Sequence, residues 1–277
     1  GYGYETRAFH PGEQTSWQRN IAYPRLGFDS FKCGEDMDVP QTEEHGYVSD
    51  DSDFEQIIWE FEHKDESTPL FLFNVTIQNH GSYTVEDSPA EVQLADEPGA
   101  YPKAEQYLTL ANKTDEAFKK LIDYFSAQTE PTILVMFGDH QPGDMKDFLD
   151  WLGRDLDDSL EDLAKLYIVP YVIWANYDIE ESSMEYVSAN YLSSVLMEMA
   201  GMELPAYHKF LLELREEFPV VSSKICIDSR GNYLSPEEAL VQSDKLREYQ
   251  LLQYNNLFDG ENRSEAFFYG KSAAGEP

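Results

Sequence analysis

The chain is 277 residues long, 42% hydrophobic and 14% aromatic, with 20 Lys and Arg against 53 Asp and Glu, a formal charge of −33. That is enough apolar material for one large α/β domain or two small ones, and it is not a disordered composition. So strong an acidic excess argues against nucleic-acid binding and against docking on an anionic membrane surface, since both need outward-facing Lys and Arg.

The opening stretch GYGYETRAFHPG reads as a turn and a strand already in progress. No signal peptide opens the chain and no apolar run reaches the ~18 residues of a membrane span. A start in mid-strand makes the chain an expected piece of a longer protein. ETRAFH predicts a short strand that stops at Pro11-Gly12. TSWQRNIAYPRLGF predicts a helical stretch with Thr15 or Ser16 as N-cap, stopped near Pro24. DSDFEQIIWEFEHK spaces Phe54, Ile57, Ile58 and Phe61 as a helix does. PLFLFNVTIQNHG predicts a buried strand with a polar tip, and YPKAEQYLTLANKTDEAFKKLIDYFSAQ a long amphipathic helix.

Two more buried strands follow, in TILVMFGDHQPG and LYIVPYVIWANY. SANYLSSVLMEMAG predicts a helix with Gly201 just past its end, and PAYHKFLLELREEF another. KICIDSRGNYL predicts a hairpin turning near Arg230-Gly231-Asn232. SPEEALVQSDKLREYQLLQYNNLF predicts one helix with Ser235 as N-cap and Pro236 as its first residue. Residues 263–277 predict a flexible tail. Cys33 and Cys226 are the only cysteines; two buried thiols are expected, although geometry alone decides.

Continuous apolar strands alternating with helices predict a sheet covered on both faces, with ligands gathered at the C-terminal strand ends. Three such ends carry polar side chains. Asp139 and His140 follow Gly138, and they converge on one ion only if the strand has ended there. An Asp oxygen with a His nitrogen suits Mn2+, Zn2+ or Fe2+ better than Ca2+. Taken alone, the pair is weak evidence, and a turn with a capping Asp and a surface His is the plainer reading. His80 ends a second strand and reads alternatively as a histidine satisfied by a backbone carbonyl. His10 ends the first strand with Trp17 and Arg19 just beyond. Together these three suit a phosphate and a small polyol. Core packing for Trp17 and a surface ion pair for Arg19 are the plainer readings.

FLFNVTIQNHGSY, TILVMFGDHQPG and VPYVIWANYDI together resemble the lipoteichoic acid synthase family of the sulfatase/alkaline-phosphatase superfamily. FHPGEQTSWQRNIAYPRLGFDSF and REYQLLQYNNLFDG resemble flanking segments of the same family, so the match spans nearly the whole chain in order. The resemblance implies an α/β fold. Its central mixed sheet would be flanked by helices on both faces, truncated at the N-terminus, within one catalytic domain over 1–262. A small C-terminal α+β portion would lie at about 219–258. The resemblance further implies that Asp139 and His140 are metal ligands, with Mn2+ the first choice and Mg2+ or Zn2+ possible. His80 would contact the substrate phosphate and serve in proton transfer, while His10, Trp17 and Arg19 would hold a glycerophosphate headgroup. An acidic residue common two positions after the first histidine is Gly12 here.

The family's nucleophilic threonine and a further glutamate ligand belong upstream of Gly1. The implied parent is a phosphoglycerol transferase moving glycerophosphate from a phosphatidylglycerol-type lipid to a cell-envelope polymer or glycan. It would act on the extracellular face, anchored by N-terminal transmembrane helices. The 277 residues alone are expected to be soluble, to hold metal weakly and to be inactive. A sulfatase or phosphodiesterase of the superfamily is one alternative, and a non-catalytic phosphoglycerol-binding module another.

Overall fold

The computed structural model describes residues 2–83, 89–143, 145–153 and 159–270. The chain forms two compact units, residues 1–130 with 142–154 and residues 131–141 with 155–277.

The first unit is built on a three-stranded parallel sheet. β1 (Glu5–His10) lies between β2 (Ser30–Cys33) and β5 (Leu70–Asn74), with Phe9 opposite both Lys32 and Asn74. Parallel neighbours need crossovers, and helices supply them. α1 (Arg19–Leu26) joins β1 to β2, and α2 (Asp50–Glu62) precedes β5. α1 does not stop at Pro24, as the sequence suggests. It runs to Leu26 and ends in a Schellman motif: Gly27 N–H donates to the Pro24 carbonyl and Phe28 N–H to that of Tyr23. Thr15 does stand at the N-cap position, but of a 3-10 turn over Ser16–Gln18 that leads into α1, whose own N-cap is Gln18; neither residue makes a side-chain capping bond.

Between β2 and α2 stands a short hairpin of β3 (Glu43–Glu44) and β4 (Tyr47–Val48). α2 starts where Ser49 accepts from Ser52 N–H, with Asp50, Asp51 and Asp53 in the first turn, where the helix dipole favours negative charge. α3 (Pro102–Ser126) has proline at its first position and lies along α2, with the Phe54–Phe118 and Phe61–Phe125 rings edge to face. A smaller cluster joins Tyr83, Leu110 and Met145 to Phe148 of α4 (Lys146–Trp151).

The second unit holds β6 (Ile133–Phe137), paired antiparallel with β7 (Tyr171–Ala175) after the short α5 (Leu160–Lys165). Both apolar strands are half-buried rather than buried, and Phe137 and Val172 are exposed. The core of this unit is helical. α6 (Ala189–Met199) and α7 (Ala206–Glu217) pack Tyr191, Leu211 and Leu214 against Leu246 and Tyr249. Gly201 has φ +66 just past α6, as expected. β8 (Val220–Val221), β9 (Cys226–Ile227) and β10 (Tyr233–Leu234) make a small antiparallel sheet.

The helix expected over 235–258 is two. α8 (Pro236–Gln242) and α9 (Asp244–Phe258) break at Ser243, whose extended backbone lets its hydroxyl accept from Leu246 N–H while donating to Glu217. Within the expected tail, α10 (Glu265–Tyr269) is helical and buries Phe268 against Tyr207. Residues 271–277 lie outside the described residues. Both cysteines are buried free thiols. Among the described residues no helix is long and apolar enough to cross a membrane.

Candidate functional site

In the first unit the sheet delivers His10 at the end of β1. Its ring is 2% exposed, and Nδ1 lies 2.7 Å from the Val75 carbonyl oxygen. A carbonyl only accepts, so Nδ1 carries the proton and Nε2 is the free acceptor. Burial pushes the imidazole below its usual range; the Val75 bond opposes this, and the Arg19 charge adds to it. His10 is therefore neutral at pH 7. Gly12 lies against that ring: a Cβ there would sit 2.6 Å from His10 Nε2 and 3.1 Å from Ile77 Cδ1. The loop after β1 thus touches the segment after β5, and glycine is what lets it pack directly over His10 Nε2.

Trp17 stands on a left-handed backbone (φ 57) with its ring 86% exposed, so it is not a core residue. With Gln18, Ile21 and Arg25 it lines an open depression along α1. Arg19 is half-buried, donates to the Ser16 carbonyl oxygen at 3.2 Å, and makes no ion pair among the described residues.

β5 ends at Asn74, earlier than the sequence suggests. Val75 N–H still reaches the Phe9 carbonyl oxygen, and the chain then turns so that His80 N–H donates to Ile77 O. His80 is exposed. Its Nδ1 lies 2.7 Å from Gly81 O and 3.3 Å from Tyr47 Oη, which leaves Nε2 unengaged. The β3–β4 hairpin supports this segment. Tyr47 meets the His80 ring edge-on and donates to Gly81 O, and His45 Nε2 lies 2.7 Å from the Gln78 carbonyl oxygen. Sequence reasoning missed His45 and Tyr47. Their signal was the HGY turn, with His45 and Gly46 both at positive φ.

In the second unit Asp139 and His140 follow β6. Gly138 is there for close approach, since a Cβ would lie 3.0 Å from Val169 Cβ and its N–H still donates to Pro170 O. Beyond it the two side chains converge, as expected once the strand has ended. Asp139 Oδ1 accepts from His140 N–H, and Asp139 Oδ2 lies 3.4 Å from His140 Nε2. His140 Nδ1 is 2.9 Å from Gln141 O, and Gln141 is itself anchored to the Lys165 and Ile168 carbonyl oxygens. Both side chains are more than 70% exposed.

One carboxylate oxygen and one imidazole nitrogen are thus free, side by side, with the tautomer set by a carbonyl, as metal-binding histidines require. Ligands ~2.1 Å from an ion and 3.4 Å apart subtend about a tetrahedral angle, so the pair fits a divalent metal. It supplies only part of a coordination sphere: no group of three His, Cys, Asp or Glu that could hold a metal occurs among the described residues.

A helix-flanked parallel sheet with polar strand ends is the fold of the sulfatase/alkaline-phosphatase superfamily, and solved structures agree. The phosphoglycerol transferase GacH of Streptococcus pyogenes, in complex with sn-glycerol-1-phosphate, superposes with TM-score 0.70 at 20% identity, over 96% of this chain and 65% of that one. The lipoteichoic acid synthase LtaP of Listeria monocytogenes gives 0.56 at 16%, over 92% and 71%. The Sulfatase family model matches residues 1–202, and the chain belongs to that family. It is also 27% identical, over 97% of its length, to the "Putative cyclic beta-1,2-glucan modification protein" of Rhizobium meliloti (strain 1021), and it spans 43% of that relative. Sulfatase-superfamily proteins generally use a divalent metal.

Proposed function

We propose that this chain is the C-terminal part of a phosphoglycerol transferase of the lipoteichoic acid synthase type. The parent moves glycerophosphate from a phosphatidylglycerol-type lipid to a cell-envelope polymer or glycan. The observation that carries this reading is the Asp139–His140 pair. In a sulfatase-family chain, a free carboxylate oxygen and a tautomer-fixed imidazole nitrogen stand 3.4 Å apart at a strand end. The glycerophosphate in the GacH complex supports the substrate class, and the glucan-modification name of the Rhizobium relative supports a glycan acceptor.

Asp139 and His140 would hold a divalent metal, Mn2+ ahead of Mg2+ or Zn2+, which when bound supplies Lewis-acid charge to phosphoryl oxygens. His80 presents Nε2 with Nδ1 tied to Gly81, the arrangement a proton-transfer group needs. Arg19, with no carboxylate partner among the described residues, gives its charge to phosphate oxygens. The exposed Trp17 ring covers the apolar edge of the polyol, and neutral His10, buried beneath Gly12, offers Nε2 as the acceptor on that side. The nucleophilic threonine comes from a part of the parent outside these residues, which is tethered outside the cell by N-terminal transmembrane helices.

Calorimetric titration of sn-glycerol-1-phosphate tests the ligand half. Binding is expected, weakened in Arg19→Ala and His80→Ala, with inorganic phosphate a poorer ligand. Binding that neither substitution changes would contradict the assignment.

A further inference from the structure

Beneath the His80 segment lies a set of buried acids that the proposed chemistry does not use. Asp50 and Asp53 sit three residues apart on one face of α2, both at 0% exposure. Asp51, between them, turns outward to Lys120. The groups facing the buried pair come from every neighbouring element. β5 contributes Asn74, whose Nδ2 donates to Asp53 Oδ1. The segment after β5 contributes Thr76, and Gln78, whose Oε1 accepts from Asp50 N–H at 2.9 Å. α3 contributes Thr114, whose hydroxyl is 2.5 Å from Asp50 Oδ2. Neither acid makes an ion pair among the described residues, and the Asp50 charge acts on Asp53.

Three buried oxygens are left without a hydrogen-bond partner: Asp50 Oδ1, Asp53 Oδ2 and Asn74 Oδ1. Two of the three orphans belong to the pair already joined by Asn74 Nδ2 and Asp53 Oδ1. Both groups are planar and already joined through one edge, so the two orphaned oxygens are the atoms left for a second bond, and both are acceptors that lack a proton. One proton there satisfies both atoms, removes a buried charge, and turns a single bond into a two-bond acid–amide pair. An ionised Asp53 leaves both atoms unsatisfied and stands beside a like charge, an arrangement protein interiors rarely hold.

We propose that Asp53 is kept as a neutral carboxylic acid paired twice with Asn74, and that this proton latches α2 to the segment carrying His80. The connection runs through shared atoms. Thr114 bonds Asp50 and also accepts from Asn79 Nδ2 at 2.8 Å and Gln78 Nε2 at 3.2 Å. Asn79 adjoins His80. Loss of the proton sets Asp53 against Asp50 and loosens the first turn of α2, and with it the hold of Asp50 and Thr114 on residues 78–79. The inference stands on the packing alone and does not depend on what His80 binds.

Electrostatics agree with the geometry. Burial and then the Asp50 charge raise Asp53 well above the carboxylate range, with the Asn74 bond opposing; burial raises Asp50 to about 6 against bonds from Thr114, Gln78 and Thr76. A folded-state value above the unfolded one means the contribution to stability is whole below about pH 4 and lost as pH rises through the folded value. For Asp50 that window closes near pH 6, and for Asp53 the shift has the same sign.

The test uses the 277-residue chain and Asp53→Asn, whose amide makes the same two bonds with no proton to lose. Thermal melts are expected to coincide at and below about pH 4. Near pH 8 Asp53→Asn should melt higher, by about 2–4 °C for each unit of pKa elevation removed. Carbon NMR of the wild-type carboxyls covers a variant that fails to fold: Asp53 Cγ should still read as protonated at a pH where the exposed aspartates have already ionised. Hydrogen exchange reads the latch. Protection of the Asn79 and His80 amides, corrected for intrinsic rate, should fall with pH in the wild type and stay level in Asp53→Asn. An Asp53 Cγ that titrates with the exposed aspartates overturns the proposal, as does an Asp53→Asn melt lowered more at pH 8 than at pH 5. So does protection that does not change with pH in the wild type.

Discussion

Gly34 and His10 show how single side chains hold the strand ends in place. A Cβ on Gly34 would lie 2.2 Å from the Pro11 carbonyl oxygen, and backbone cannot step aside as a flexible side chain can. Gly34→Ala is expected to lower the unfolding free energy by about 1–3 kcal/mol, read from denaturant melts. His10 gives a pH dependence of opposite sign to the buried acids. Its folded-state pKa is depressed, mainly by burial, so its contribution is present above about pH 6.5 and lost as pH falls through the folded value. His10→Gln should flatten that acid-side loss, and an unchanged slope would count against a neutral, buried His10. At Asp139 the expectation is weak metal binding. Calorimetry with Mn2+ should show low affinity, lowered further in Asp139→Ala. Submicromolar binding abolished by that change would mean that other ligands complete the sphere.

Breaks between elements turn on short-range chemistry that periodicity does not carry. Ser235, Pro236 and Gly201 were legible because caps are local signals, and Ser235 with Glu238 indeed forms a capping box. Ser243 carries the same signal inside an unbroken apolar pattern, and the 3.6-residue period masked it. Ser243→Ala should cost about 1 kcal/mol or somewhat more, because the hydroxyl serves both the α9 cap and Glu217. A loss below a few tenths of a kcal/mol would place the break elsewhere.

Apolar runs announced β5, β6 and β7 as strands. They could not tell that β6 and β7 pair antiparallel and half-exposed, because an apolar run fits either pairing. Of the candidate site, the residues at strand ends were readable from type and position. His45 and Tyr47 were not, because a two-residue strand pair leaves no periodic trace, and only folding brings it against His80.

For the molecule as a whole the formal charge of −33 frames the question of how an anionic headgroup is received. In the proposed reading the cations are few and placed: Arg19 free of carboxylates in the first unit, and the metal pair after β6 in the second. The most direct measurement is diacylglycerol release from phosphatidylglycerol by the full-length parent containing these residues. It is made with Mn2+, beside the same protein carrying Asp139→Ala and beside the 277-residue chain alone. Metal-dependent release by the parent is expected, reduced at least about 100-fold by Asp139→Ala, with none from the chain alone. Release that is indifferent to Asp139, or robust turnover by the 277 residues, would contradict the assignment of the metal pair and of the nucleophile.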